Sequence, residues 1–289
     1  MSNYTIDQFS KISGLNKILI RTWENRYNFL KPKRTSTNIR YYDDEMLIKG
    51  IKYSILVKNG HKISKLIKEE DNQINKLLED LLKITNSKST KDQIYVSKLI
   101  ESSINFNQSL FEKTFNECVE EMGIIKFYEK ILVQTMNRVS ILYLNSEINP
   151  SNEHFISENI RIKLSKEIAS IKTKVNTKDN WVLFLPEDEY HDIGLLFSHL
   201  LLKKNNHSVV YLGQNVPREN ILSFKKNNFK ILTSISSRKT EKFTEEFCKF
   251  LENNFNNNTM FIIDKTGAVK NNFKNIQVLY TINDLIKII

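Results

Sequence analysis

The residues with the most evident chemistry lie in residues 187–194, which read EDEYHDIG. Glu189 and His191 stand two positions apart, and Gly194 follows three positions later. The apolar run WVLFLP precedes this segment and LLFSHLLLKK follows it, which predicts a buried strand, a polar loop and a helix. His191 is therefore either a metal ligand presented at the end of a strand or a polar residue at the start of a helix.

The elements around this loop predict an α/β fold for residues 176–289. Short β-prone apolar runs, WVLFLP, SVVYLG, KILTSIS, MFIID and QVLYTI, alternate with the helical patterns DIGLLFSHLLLKK, RENILSFKKN and TEKFTEEFCKFLENNF. Runs of this kind suit strands buried on both faces. Their order with helices predicts a flavodoxin-like, doubly wound parallel sheet, in which ligands bind beyond the carboxyl ends of the strands. The EDEYHDIG loop lies at such an end.

A helical region precedes the sheet. The stretch 85–93, TNSKSTKDQ, is polar and breaks the apolar periodicity, so a helical linker is predicted over 76–93. Residues 94–175 predict an antiparallel four-helix bundle, because short turns join four amphipathic segments. These segments are 94–104, 107–120, 124–145 and 151–172. A bundle by itself indicates no function.

The positive charge of the chain is concentrated at the N-terminus. The net charge is +10, and residues 1–68 hold 14 lysines and arginines against five acidic residues, whereas the other 221 residues hold 29 against 28. A basic head on a near-neutral body suggests that the head binds a polyanion. A basic surface without a target is the alternative.

Residues 1–75 predict a small DNA-binding domain. Asn16 caps a helix over about 17–28, with Ile18, Ile20 and Trp23 available for the core. The basic residues of its other face are Lys17, Arg21 and Arg26. Such a helix can lie in a major groove. The stretch KPKRTSTNIRYY then predicts a two-stranded wing that carries Lys33, Arg34 and Arg40, and Asp43 caps the next helix.

The stretch RTWENRYNFLKPKRTSTNIRYYDDEML resembles the winged helix-turn-helix of the MerR family of transcription regulators, over about residues 3–70. The resemblance implies promoter binding as a dimer. It places Arg21, Trp23 and Arg26 on the recognition helix and Arg34, Arg40 and Tyr41 on the wing. Together with Lys17 and Lys33 from the charge pattern, these are the residues expected at the DNA. The residues themselves favour a core position for Trp23, Ile39 and Tyr42, and favour direct contact for Arg21 and Arg34.

A segment of the bundle resembles the cobalamin-dependent, light-sensing branch of the MerR family. Tyr143 stands ten residues before Glu153-His154, where that branch has Trp, nine residues and Glu-His. The resemblance implies that Tyr143, Glu153 and His154 cover the upper face of the cofactor. Leu144 stands where the photoreceptors place a histidine, and a leucine cannot bind cobalt. Without the resemblance, His154 is better explained by local hydrogen bonds at a helix start.

The sheet region resembles the cobalamin-binding domain of methionine synthase, mutases and corrinoid carriers. Their D-x-H-x-x-G pattern corresponds to residues 189–194, with glutamate first as in the photoreceptors. The resemblance implies that His191 is the lower axial ligand of cobalt, that Glu189 accepts its other ring N–H, and that Gly194 leaves room for the nucleotide tail. Ser234 falls in the second motif. Asp264-Lys265 stand where the family has a Gly-Gly pair.

The sequence thus predicts a DNA-binding regulator that binds a cobalamin, such as adenosylcobalamin, and couples it to oligomerisation and operator binding. One alternative is a regulator with a cofactor-free sensory half that protein partners control. A less favoured alternative is a corrinoid carrier for methyl transfer; the basic head argues against this and against an enzyme. With two cysteines and no secretory signal or membrane span, a cytoplasmic protein is expected. The operator, target genes, sign of regulation and oligomeric state stay open.

Overall fold

The computed structural model describes residues 3–144, 150–172, 179–225, 228–235, 240–264, 267–269 and 273–289. The chain forms two compact units, Met1–Ile156 and Ser157–Ile289. In the described ranges, no helix has both the length and the apolar character needed to cross a membrane. The boundaries predicted at 75, 93 and 175 stay predictions.

The N-terminal unit begins with a helix-turn-helix. Helix α1 (Ile6–Ser13) starts at a capping box formed by Thr5 and Gln8 and ends at Gly14. Helix α2 (Lys17–Tyr27) starts at Asn16, whose side chain accepts from the backbone N–H of Leu19. Helix α2 and its Asn16 cap agree with the predicted element, because a side chain that satisfies an open N–H marks a helix start in the sequence itself.

The predicted wing is a short antiparallel pair, β1 (Lys33–Arg34) and β2 (Arg40–Tyr41). Helix α3 (Asp44–Lys58) follows, and the Asp43 carboxylate caps it by accepting from the N–H of Met46. Gly50 of α3 has a steric reason to be glycine. A Cβ there would stand 2.5 Å from Cζ of Phe9, so α1 and α3 approach each other through this position.

The core of the head corrects two expectations. Trp23 and Tyr42 are buried, as their residue types suggested, together with Tyr4, Phe9 and Ile20. Ile18 and Ile39 are not in the core; they are 78% and 59% exposed. Ile18 lies on the opposite face of α2 from Ile20 and Trp23, because residues two and five positions apart on a helix point in different directions.

Helices fill the rest of the first unit and continue into the second. They are α4 (Ile63–Leu66), α5 (Asp71–Ile84), α6 (Lys88–Ile104), α7 (Gln108–Lys126), a π-helical turn (Phe127–Leu132), α8 (Val133–Leu144) and α9 (Pro150–Ser170). The polar stretch 85–93 breaks the apolar periodicity, but helix already resumes within it, since α6 starts at Lys88 with Ser87 as its cap. Gly123, with φ 78°, makes the kink from which the predicted third bundle helix begins.

The C-terminal unit contains the predicted parallel sheet. Its strands are β3 (Asn180–Pro186), β4 (Ser208–Val216), β5 (Phe229–Ile235), β6 (Met260–Asp264) and β7 (Ile276–Leu279), in the order β4-β3-β5-β6-β7. All neighbouring pairs are parallel. This is the doubly wound order, in which the chain reverses direction across the sheet beside β3.

Helices α10 (Ile193–Lys204), α11 (Glu241–Asn254) and α12 (Ile282–Ile286) accompany the sheet. The predicted helix RENILSFKKN is instead a 3₁₀ helix, Arg218–Phe224. Only Ile221 of this segment is buried, so little packing supports a longer α-helix. Strand β3 is buried over its last six residues, so its carboxyl end, from which the next loop starts, lies in the core.

Candidate ligand site and nucleic-acid interface

The loop between β3 and α10 is held by the neighbouring strand β4. The N–H of Glu189 donates to the carbonyl of Pro186 (3.0 Å). The N–H of Asp188 donates to the side chain of Asn215 at 2.9 Å, and the N–H of Asn215 donates back to the carbonyl of Glu189 at 3.2 Å. The loop therefore has a defined backbone at the carboxyl ends of two parallel strands.

Within this loop, Glu189 and His191 form a close pair. The Glu189 carboxylate is fully buried, and its Oε1 lies 2.6 Å from Nδ1 of His191 and accepts from the His191 backbone N–H at 3.0 Å. The His191 side chain is 68% exposed. With the proton on Nδ1 facing the carboxylate, the lone pair of a neutral imidazole is on Nε2, the nitrogen on the outer side of the ring.

A second contact braces the same loop from α9. Asp192, 7% exposed, accepts from Nε of Arg161 at 2.7 Å, and Arg161 also contacts Glu158. Sequence reasoning missed Arg161, because it looks like any other cation on a helix. The first residue of α10 follows Asp192 directly, so this ion pair fixes the point where the His191 loop enters the helix.

Three further positions from the sequence analysis lie near these strand ends. Gly194 is in the first turn of α10, where its carbonyl accepts from the Ser198 hydroxyl at 2.9 Å. The Ser234 hydroxyl donates to the carbonyl of Ile263 at 3.1 Å, so its proton is used within the sheet. Asp264 is 1% exposed and accepts from the N–H groups of Gly267 (3.0 Å) and Val269 (2.8 Å). Lys265 lies outside the described residues.

The structure describes only some of the predicted cofactor residues of the bundle. Tyr143 lies in the last turn of α8, and its side chain is outside the described part of the structure, as is that of Leu144. Glu153 is half-buried and His154 exposed in the first turn of α9. Asn152, which sequence reasoning missed, anchors this turn: its side chain donates to the carbonyl of Ser103 at 2.7 Å.

In the head, the outer face of α2 carries the predicted cations. Arg21 and Arg26 are exposed, and the Arg26 guanidinium lies 5.5 Å from the ring centre of Tyr27. Lys17 is also exposed but forms an ion pair with Asp7 of α1. On the wing, Lys33 and Arg34 are exposed, and Arg34 donates to the Asn38 side chain at 2.8 Å, which supports the turn.

One of the predicted DNA contacts, Trp23, needs correction, and another, Arg40, has a partner inside the head. The Trp23 side chain is 1% exposed and packs against Phe29, so it supports α2 from inside and cannot reach a duplex. The Nε of Arg40 donates to the Glu24 carboxylate at 2.9 Å, and Tyr42 donates to the same carboxylate. Arg40 therefore ties the wing to α2. Tyr41 is half-buried on β2.

The comparisons with known proteins match the head and the helical region after it to two different families. Residues 4–64 match the family described as MerR HTH family regulatory protein, and residues 95–166 match the one described as B12 binding domain. The Myxococcus xanthus transcriptional repressors CarH and CarA are similar to this chain. CarH is 23% identical over 84% of this chain and 82% of its own, and CarA 20% identical over 73% and 68%.

Among solved structures, the chain resembles the monomethylamine corrinoid protein of Methanosarcina barkeri. The TM-score is 0.53 at 17% identity, over 68% of this chain and 97% of that one, which is a likeness of fold. The chain thus joins a MerR-type helix-turn-helix to a B12-binding domain. It is a MerR-type DNA-binding regulator, and its cofactor class is cobalamin.

Proposed function

We propose that this regulator senses a cobalamin through His191 and that the bound cofactor changes both self-association and operator binding. The observation that carries the proposal is the pairing of a fully buried Glu189 carboxylate with an imidazole that is 68% exposed. His191 would hold a cobalamin through its imidazole nitrogen, and the cofactor would supply a cobalt ion that accepts such a ligand. The residues fit this group, because a buried carboxylate orients the ring and the His191 side chain is 68% exposed.

The other residues have supporting roles in this proposal. Glu189 holds the His191 proton on Nδ1, and Arg161 with Asp192 fixes the loop. Gly194 leaves room beside the ring for the nucleotide tail, and Ser234 lies at the carboxyl end of a neighbouring strand. Tyr143, Glu153 and His154 would be further contacts of the cofactor. Leu144 cannot bind cobalt, so a second protein ligand from this position is not expected.

Regulation then follows from linkage. A cofactor changes DNA binding only if it binds one assembly state of the protein more tightly than another. In the proposal that state is a dimer or a higher oligomer of the whole chain, and the two heads of a dimer meet two operator half-sites. The regulator acts in the cytoplasm, where its operator DNA is accessible.

The head binds duplex DNA through the outer face of α2 and through the wing. Arg21 and Arg26 on α2, and Lys33 and Arg34 on the wing, are the exposed cations that face solvent. Their main effect is to position the domain on phosphate, and this part of the affinity decreases steeply with salt. A role as an enzyme or methyl carrier has less support, because the similar curated proteins are transcriptional repressors.

One observation favours the alternative of a cofactor-free sensory half. Asp264 stands where the cobalamin-binding family has glycine, and its carboxylate binds the N–H groups of Gly267 and Val269. Val269 is 6% exposed and belongs to the core beside β6. The described loop residues 267–269 are therefore packed against the end of β6, where the family leaves space for the nucleotide tail.

A binding experiment separates the two candidates. The full chain is incubated with adenosylcobalamin in the dark, desalted, and its visible spectrum recorded. We expect the protein to retain a corrinoid band and the His191→Ala variant to lose most of it. His61→Ala, which changes a histidine of the head, is the matched control and should retain the band. A colourless wild-type protein would contradict cobalamin sensing.

A second arm tests the tail pocket. Dicyanocobinamide contains the corrin ring but lacks the nucleotide tail. If the packed loop at Asp264 excludes the tail, the chain retains dicyanocobinamide and releases adenosylcobalamin. If it retains neither, the cofactor-free alternative is supported.

DNA binding is tested on duplexes that carry the promoter of the chain's own gene. Arg21→Ala should weaken binding and lower its dependence on salt by about one unit of the logarithmic slope. Lys83→Ala is the control, because Lys83 is an exposed cation of α5, outside the head. Equal binding by the two variants would place the DNA contact elsewhere.

A further inference from the structure

The outer face of α2 is not uniformly polar. The buried residues of this helix are Ile20, Trp23 and Glu24. The opposite face shows positions i, i+1, i+4, i+5, i+8 and i+9, which form one continuous strip. Its exposed residues are Lys17, Ile18, Arg21, Thr22, Asn25 and Arg26.

Ile18 is the apolar residue of this strip. Its side chain is 78% exposed, the largest value for a large apolar side chain in the described part of the chain. A single exposed apolar residue carries little meaning by itself. Here, however, it stands one helical turn from Thr22, and its near neighbours on the strip are cations, including Arg21.

Thr22 extends the apolar character of this position. Its hydroxyl donates to the carbonyl of Ile18 at 2.8 Å, so the donor is used inside the helix. What Thr22 then offers outward is chiefly its methyl group. Ile18 and Thr22 together form an apolar spot, four residues apart, on a cationic helix face.

We propose that this apolar spot, Ile18 with the methyl of Thr22, reads the C5-methyl group of a thymine in the major groove. The inference rests on the proposed DNA binding of the head. Charge selects the partner class, because Arg21 and Arg26 on the same face fit a duplex phosphate backbone. In the major groove, the thymine methyl is the apolar feature that base edges present.

The position of Ile18 in the helix supports this role. It is the second residue of α2, and the first turns of a recognition helix are the part that meets base edges in helix-turn-helix proteins. Ile18 is thus a specificity-determining residue, whereas Arg21 and Arg26 supply affinity. Ile18 makes no contribution to the core, so substitutions there are expected to leave the domain folded.

The test removes single methyl groups from the DNA. Operators are selected with the full chain from random duplexes, and each thymine is then replaced in turn by deoxyuridine. We expect at least one position per half-site where the replacement weakens wild-type binding by about 3- to 10-fold. The Ile18→Ala variant should bind the thymine operator more weakly and should no longer distinguish thymine from deoxyuridine at that position.

Ile84→Ala is the matched control, since Ile84 is 76% exposed but lies at the end of α5. This variant should discriminate as the wild type does. If wild type distinguishes no thymine from deoxyuridine, or if Ile18→Ala keeps the discrimination, the role of Ile18 is overturned while DNA binding stands. If no duplex is enriched in the selection, the proposed DNA binding fails together with the proposed role of Ile18.

Discussion

Two buried glutamates, one in each unit, bind basic side chains that differ in their exposure to solvent. Glu24 of α2 is 9% exposed and accepts from Tyr42, which is fully buried, and from Arg40, whose side chain is 29% exposed. Glu189 is fully buried, but its partner His191 is 68% exposed. Both carboxylates have their acceptors satisfied inside the protein, and only the second one directs a group outward.

The difference shows how to distinguish a structural carboxylate from one that orients a ligand. When donor and acceptor are both buried, the pair joins two elements, as Glu24 joins α2 to the end of the wing through Tyr42. When the acceptor is buried and the partner exposed, the pair determines which atom of the partner meets solvent or a ligand. Burial of the glutamate alone does not separate the two cases. The exposure of its partner does.

The largest effect is expected for Glu24→Ala. The substitution leaves the buried Tyr42 hydroxyl without its acceptor and removes the charge that Arg40 pairs with. We expect a loss of about 3 kcal/mol in the opening free energy of the head, measured by hydrogen exchange of α2 peptides. Glu45→Ala is the control, because Glu45 is 77% exposed in its pair with Lys49 and should cost less than about 1 kcal/mol. Equal losses for both variants would refute the structural role of Glu24.

Glu189→Gln should act on the ligand instead. We expect cobalamin affinity to fall by about 10- to 100-fold, because the neutral amide no longer holds the Nδ1 proton of His191 as strongly. The isosteric change should have little effect on unfolding. Spectral titration gives the affinity, and Glu187→Gln, an exposed change in the same loop, is the control. Loss of stability without loss of affinity would make Glu189 a structural residue like Glu24.

A smaller effect is expected for the Arg161–Asp192 pair, in which both side chains are partly buried. Arg161→Met and Asp192→Asn should each weaken cobalamin binding moderately, and the double variant should be little worse than either single one. The coupling energy in this double-mutant cycle should be about 1–2 kcal/mol. Additive losses would show that the pair does not hold the His191 loop.

The smallest effect concerns His199, whose Nδ1 has no hydrogen-bond partner among the described groups. Burial, with a smaller contribution from Lys203, lowers its pKa to about 4. The unfolded chain protonates this ring below about pH 6.5, so it binds more protons than the folded state between these values. Stability should therefore fall as pH decreases from about 6.5 to about 4. Linkage alone would give about 3 kcal/mol, and because the ring is partly exposed to solvent we expect about 1 kcal/mol.

His199→Phe isolates this contribution. His199 stacks on Tyr211 at 5.2 Å between ring centres, and phenylalanine can keep this stack. We expect the variant to lose part of the pH dependence of the urea midpoint, while the control His61→Phe keeps all of it. An unchanged pH dependence in His199→Phe would show that the ring is already hydrated in the folded protein.

Much of the fold was predictable because its signals are local. Thr5, Asn16 and Asp43 mark helix starts, since each side chain binds an N–H within three residues of itself. The alternation of apolar strands and helices predicted the parallel sheet, because each apolar run is itself a local signal. The Glu189–His191 contact was also within reach, because the two residues are two positions apart in one loop.

The sequence by itself determined the helix caps, the strand and helix order, and the residue types in the His191 loop. Only the tertiary structure decided that Ile18 faces outward and that Arg40 faces inward to Glu24. It alone brought Arg161 to Asp192 across 31 positions. The physical reason is that a side chain's partner across a fold depends on how whole elements pack, and no spacing along the chain encodes that distance.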